Sequence, residues 1–216
     1  MNSTYEMIKK HKFIAILRNI PEDKLENTAK ALYNGGARLF EITFNPSDPD
    51  TVKKTAKAFE IIKNACGNDI SVGAGTVVKK EYVAEAKKMG AEFIVAPNTD
   101  QEVISLTKEN GMLSIPGAFT PSEIVTAHKL GADIVKIFPI EPHNIPYLKN
   151  ILSPVSHIPF ITTGGVNEDT ADELMKTGAA ALAAGASVIP VSALNANDFS
   201  LIEEKTRKLI SIIKNA

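Results

Sequence analysis

The chain has 216 residues, 44% of them hydrophobic and 23% charged, with a formal net charge of −1; one sizeable core is expected, as a single domain over 1–216. This near-neutral balance excludes a general field favouring nucleic acid or an anionic membrane, and no apolar run is long enough to span a bilayer. The lone cysteine, Cys66, excludes an internal disulfide framework, and Met1-Asn2-Ser3-Thr4-Tyr5-Glu6 lacks the charged-then-apolar layout of a secretion signal, so a cytoplasmic location is expected.

In chain order, a short helix over about 4–10 precedes short β-rich apolar runs at 13–18, 39–44, 70–76, 93–98, 113–117, 134–139, 160–164 and 181–185. Between and after them lie longer amphipathic stretches at 23–34, 50–65, 80–89, 100–110, 121–130, 145–152, 168–177 and 200–214. Continuous apolar strands that each lead into a helix imply a parallel sheet covered on its outer face. Gly-Ala recurs at Gly36-Ala37, Gly90-Ala91, Gly131-Ala132 and Gly178-Ala179, each time just before an even-numbered strand. Glycine suits the left-handed position that ends a helix. The repeating unit is therefore two βα modules, and four units give the eight strands of a closed (β/α)8 barrel. The alternative is an open doubly wound sheet. Against it, Arg18-Asn19-Ile20-Pro21 follows the first strand where that fold places a glycine-rich fingerprint.

Barrel chemistry sits at the C-terminal ends of the strands. The first run ends in Arg18, whose planar fork suits a carboxylate, or which makes a salt bridge at the rim. The second holds Glu41, a lone charge in phase with Leu39 and Thr43. The third, Ser71-Val72-Gly73-Ala74-Gly75-Thr76, has glycines that admit either close strand packing or substrate, and Thr76 offers a hydroxyl. The sixth, Ile134-Val135-Lys136-Ile137-Phe138-Pro139, buries a lysine on the face opposite Val135 and Ile137. A desolvated lysine loses its proton more readily and becomes a nucleophile toward ketones, and a buried carboxylate beside it can move protons. A structural ion pair between Lys136 and Glu41 is the other reading. The seventh and eighth runs end in Thr163-Gly164-Gly165 and Gly185-Ala186-Ser187, the two loops in which barrels frequently cradle phosphate on backbone N–H groups. The four histidines are scattered without metal-binding spacing, so no metal or other cofactor is expected.

The chain resembles the 2-keto-3-deoxy-6-phosphogluconate aldolases, a family that includes 4-hydroxy-2-oxoglutarate aldolases and galactonate-derived phosphosugar aldolases. The resemblance rests on Ile14-Ala15-Ile16-Leu17-Arg18, Glu41-Ile42-Thr43-Phe44, Gly73-Ala74-Gly75-Thr76-Val77, Val95-Ala96-Pro97-Asn98, Ile115-Pro116-Gly117, Val135-Lys136-Ile137-Phe138-Pro139 and Thr163-Gly164-Gly165-Val166. It implies a lyase that forms pyruvate through a Schiff base on Lys136, with Glu41 as general acid and base. It also implies a pyruvyl pocket of Thr76, Pro97, Phe138 and Thr163, and a phosphate end at Gly164, Gly165 and Ser187. The implied substrate is a small phosphorylated keto acid, and the implied assembly a homotrimer. Some members bind the substrate carboxylate with an arginine four residues after the glutamate. Here that position is Asn45, and Arg18 matches the members that carry the arginine at the end of strand one. Two rivals remain: another phosphate-binding barrel enzyme, such as an isomerase, epimerase or thiamine-phosphate-type synthase, and a non-catalytic sugar-phosphate sensor.

Overall fold

The computed structural model describes residues 3–216; Met1 and Asn2, which begin both the expected 1–216 domain and the segment read for a secretion signal, lie outside the described residues. One parallel sheet is built from nine segments: β1 Phe13–Leu17, β2 Leu39–Thr43, β3 Ser71–Gly75, β4 Phe93–Val95, β5 Leu113–Ile115, β6 Gly117–Ala118, β7 Val135–Ile137, β8 Phe160–Thr163 and β9 Ala181–Ala184. Their order is β5-β4-β3-β2-β1-β9-β8-β7-β6. The two ends of that order, β5 and β6, are separated in the chain only by Pro116, so the backbone itself closes the ring. The result is the expected barrel of eight staves, with the fifth stave broken. Expected as one run over 113–117, it changes partner midway: Leu113 pairs with Phe93, whereas Gly117 pairs with Lys136. Proline has no N–H to give a ladder, and the pairing breaks at that residue.

The helices are α1 Ser3–His11, α2 Glu22–Asn34, α3 Thr51–Cys66, α4 Lys80–Lys88, α5 Gln101–Glu109, α6 Pro121–Lys129, α7 Ile145–Leu152, α8 Ala171–Met175, α9 Val191–Ala196 and α10 Phe199–Asn215. The Gly-Ala repeat works as expected. Gly36, Gly90, Gly131 and Gly178 have φ of 106, 76, 101 and 91°. After α2, the N–H groups of Gly36 and Ala37 donate to Tyr33 and Leu32 at 2.9 and 3.0 Å, the paired bonds that end a helix and turn the chain into a strand. Two differences stand out. The stretch expected to be helical over 168–177 yields only the five residues of α8, because the Asn167 side chain accepts from the N–H groups of Asp169 and Thr170 at 2.8 and 3.1 Å and holds a turn there. The second is α9, which was not expected and starts after Pro190.

Period-two alternation sorts the sheet into two cores. Outward residues such as Val72, Val135, Ile137 and Leu182 pack under the helices. Inward residues, among them Ile14, Leu39, Phe93, Ile134 and Ile161, fill the barrel together with Ile8 of α1, which is fully buried. Helix α1 thus plugs the N-terminal end. Toward the opposite end the interior turns polar, and there the candidate site begins.

Candidate active site at the strand ends

Lys136 and Glu41 project inward from the sixth and second staves, across the barrel from one another. Both are buried, 4% and 1% exposed. Burial pushes the Lys136 ammonium below its ordinary pKa; the carboxylate of Glu41 opposes this and the Arg18 charge assists it. A lysine so placed carries more neutral amine near neutral pH than one in water, which is the form that attacks carbonyls. Its Nζ lies 4.8 Å from the centre of the Phe138 ring. The Glu41 oxygens have no hydrogen-bond partner among the described residues, and no ion pair joins them to Lys136. A buried carboxylate without partners is costly, and such groups collect at functional sites.

The glycines of β3 make this arrangement possible. A Cβ on Gly75 would stand 2.1 Å from Glu41 Oε1, and one on Gly73 would stand 2.3 Å from the Phe93 ring. The structure gives these glycines a role inside the barrel, in place of close strand packing: Gly73 admits the Phe93 ring and Gly75 admits the Glu41 carboxylate.

Above the buried pair opens a cavity of about 710 Å³, whose wall includes Arg18, Lys136, Phe138, Thr163, Gly164, Gly165, Gly185 and Ser187. Three expected residues lie off that wall. Glu41 sits beneath it. Thr76 is tied to the wall through Arg18, whose Nη2 donates to Thr76 Oγ1 at 3.3 Å. Pro97 stands against the fifth stave: a Cβ on Gly117 would come within 2.3 Å of its carbonyl oxygen. Thr76 has φ of 57°, rare for a β-branched residue, and the chain leaves β3 there. Asn45 is turned into its own loop, its side-chain oxygen accepting from the Ser47 N–H at 3.2 Å.

At the far end, Gly164 and Gly165 have φ of 98 and 54°, and a side chain on either would meet the Ile140 carbonyl oxygen within 3 Å, at 2.8 and 2.7 Å. The Gly185 position is closed in the same way by the Ile16 oxygen at 2.9 Å. The hydroxyls of Thr163 and Ser187 are buried without hydrogen-bond partners among the described residues. Bare backbone and free hydroxyls suit a bound oxyanion. The same wall includes Asn19, Lys24 and Asn195, which reading strand ends alone did not select. A signal for Lys24 was available: it sits in the first turn of α2, where the helix dipole disfavours a cation. Among the described residues, no group of three or more His, Cys, Asp or Glu is placed to hold a metal.

Fold and site together define a class: a parallel α/β barrel with a buried amine and carboxylate under a cavity suited to anions, equipped for imine chemistry on a keto acid. A family model described as "Aldolase: KDPG and KHG aldolase" matches residues 4–205, and the chain belongs to that family, which makes it a lyase. It is 27% identical over 214 residues to the 2-dehydro-3-deoxy-phosphogluconate aldolase of Treponema pallidum (strain Nichols), covering 99% of both chains. It is 32% identical over 176 residues to the 2-dehydro-3-deoxy-6-phosphogalactonate aldolase of Escherichia coli (strain K12), covering 81% of this chain and 83% of that one. Among solved structures, the KDPG aldolase of Legionella pneumophila, with pyruvate captured as a covalent carbinolamine, superposes with a TM-score of 0.82 at 25% identity, covering 95% and 97% of the two chains.

Proposed function

We propose that this chain cleaves a phosphorylated 2-keto-3-deoxy sugar acid of gluconate or galactonate type to pyruvate and glyceraldehyde 3-phosphate, through an imine on Lys136. The observation that carries this reading is the buried amine of Lys136, its pKa lowered by desolvation, on the wall of a cavity that has no carboxylate of its own. The neutral amine adds to the C2 ketone, giving a carbinolamine of the kind captured in the Legionella relative. A proton delivered from solvent to the carbinolamine hydroxyl lets it leave as water, which gives the protonated imine. Glu41 takes the proton of the C4 hydroxyl, directly or through a water; the C3–C4 electron pair flows into the imine, and the aldehyde departs. The enamine regains a proton at C3, and water releases pyruvate and the free amine.

Arg18 holds the substrate carboxylate, steadied by its bond to Thr76. Thr163 and Phe138 frame the pyruvyl part, with Pro97 behind them, while Gly164, Gly165, Gly185 and Ser187 take the phosphate. Anchoring both ends aligns the scissile bond, which is where positioning contributes most. Cleavage of 4-hydroxy-2-oxoglutarate to pyruvate and glyoxylate follows the same steps without the phosphate anchor. Residues 1–216 act as one catalytic domain, and the assembly we propose is a cytoplasmic homotrimer.

The test is borohydride reduction in the presence of pyruvate, followed by intact mass and peptide mapping. One reduced pyruvyl group on Lys136, absent from Lys136→Met, is the expected result. Pyruvate bound without an adduct would sink the proposal and favour an isomerase- or synthase-type phosphate barrel.

A further inference from the structure

The cavity wall carries three cationic side chains, Arg18, Lys24 and Lys136, and no carboxylate. Two of them have other duties in the mechanism: Lys136 reacts as the neutral amine, and Arg18 is bound to Thr76 on the β3 side. The glycines and Ser187 are themselves uncharged, and Lys24 shares the cavity wall with them. This lysine is half-buried in the first turn of α2, and its Nζ donates to the Leu194 carbonyl oxygen in α9 at 2.6 Å. Among the described residues it forms no ion pair, although Glu22 and Asp23 precede it in the same turn. An ammonium has three donors, and Leu194 takes one of them. A cation in the first turn of α2 works against that helix's dipole, although its bond to Leu194 lies in the last turn of α9, where a cation is favoured. Its contact ties α2, which follows the first stave, to α9, which follows the last.

We infer that Lys24 is a specificity-determining residue, whose ammonium selects substrates bearing a terminal phosphate over unphosphorylated keto acids. The inference rests on the aldolase reading above. Lys24→Met and Lys24→Arg would be compared with the parent protein on the phosphorylated sugar acid and on 4-hydroxy-2-oxoglutarate, with inorganic phosphate as a competing inhibitor. Losing one charge-assisted bond to phosphate corresponds to about 10- to 100-fold in affinity. The expected result for Lys24→Met is a loss of that order in kcat/KM for the phosphorylated substrate, through KM, with a matching weakening of phosphate inhibition. The unphosphorylated substrate should be unchanged, and Lys24→Arg should restore most of the loss. An equal loss on both substrates would reduce Lys24 to a latch between α2 and α9 and overturn the inference, as would no loss on either. If the parent protein forms no imine with pyruvate, the aldolase reading has failed separately. Calorimetric titration with inorganic phosphate then decides for Lys24 if the Met variant binds more weakly, and against it if binding is equal.

Discussion

At the scale of single residues, the site depends as much on what is missing as on what is present. Glu41 is held by the absence of a side chain at Gly75, whose Cβ would occupy the place of the carboxylate oxygen. Gly75 lies inside β3 and is not among the glycines with positive φ, so alanine fits the backbone there and only the space is lost. Gly75→Ala should therefore act on Glu41 with little effect on the fold. Overpacking of this kind costs about 1–3 kcal/mol, a Tm loss of roughly 2–12 °C at this chain length. Displacing a proton-transfer group by an ångström costs on the order of 100-fold in rate. Steady-state kinetics should show kcat falling by that amount while borohydride still traps pyruvate on Lys136. A kcat equal to that of the parent protein would mean that the carboxylate is not needed where the structure puts it.

At the scale of elements, the barrel needs a floor as well as a mouth. Ile8 of α1 is fully buried among Ile14, Leu39 and Ile134, and Thr4 of the same helix donates to Glu92, which also accepts from Ser71 of β3. Truncating a buried isoleucine costs about 2–5 kcal/mol, so Ile8→Ala should lower Tm by roughly 4–20 °C. Because the plug lies at the opposite end from Lys136, kcat at room temperature should be retained; a variant with full stability would show that α1 does not seal the interior. Elements like this were legible in the sequence where one pattern decided them. The apolar runs gave the staves, their alternation sent Lys136 and Glu41 inward, and Gly-Ala marked the helix ends. The reading failed where a local bond overrode the pattern. Pro116 split a stave that reads as one run, and the Asn167 side chain turned the first three residues of a helical stretch into a turn. The site was visible as far as it is made of strand ends. Lys24 and Asn195 reach the cavity from helices, and of the two only Lys24, a cation in a first helical turn, left a local signal.

At the scale of the whole molecule, a formal net charge of −1 offers an anionic substrate no long-range attraction. Capture falls to the cations gathered on one cavity wall, and this makes the salt dependence of catalysis informative in sign. If the overall field governed association, the protein would weakly repel a phosphorylated keto acid, and added salt would relieve the repulsion and raise kcat/KM. If Arg18 and Lys24 govern it, salt screens the attraction and kcat/KM falls. The screening length shrinks from about 10 Å at 0.1 M to about 3 Å at 1 M, short enough to weaken contacts at the exposed Arg18 while sparing the buried Lys136. The loss should therefore appear in KM, with kcat held. Initial rates measured from low to high potassium chloride at fixed pH should show KM for the phosphorylated substrate rising several-fold, and rising less for 4-hydroxy-2-oxoglutarate, which lacks the phosphate. A KM that falls with salt would return control to the net charge and leave the wall cations without a role in capture.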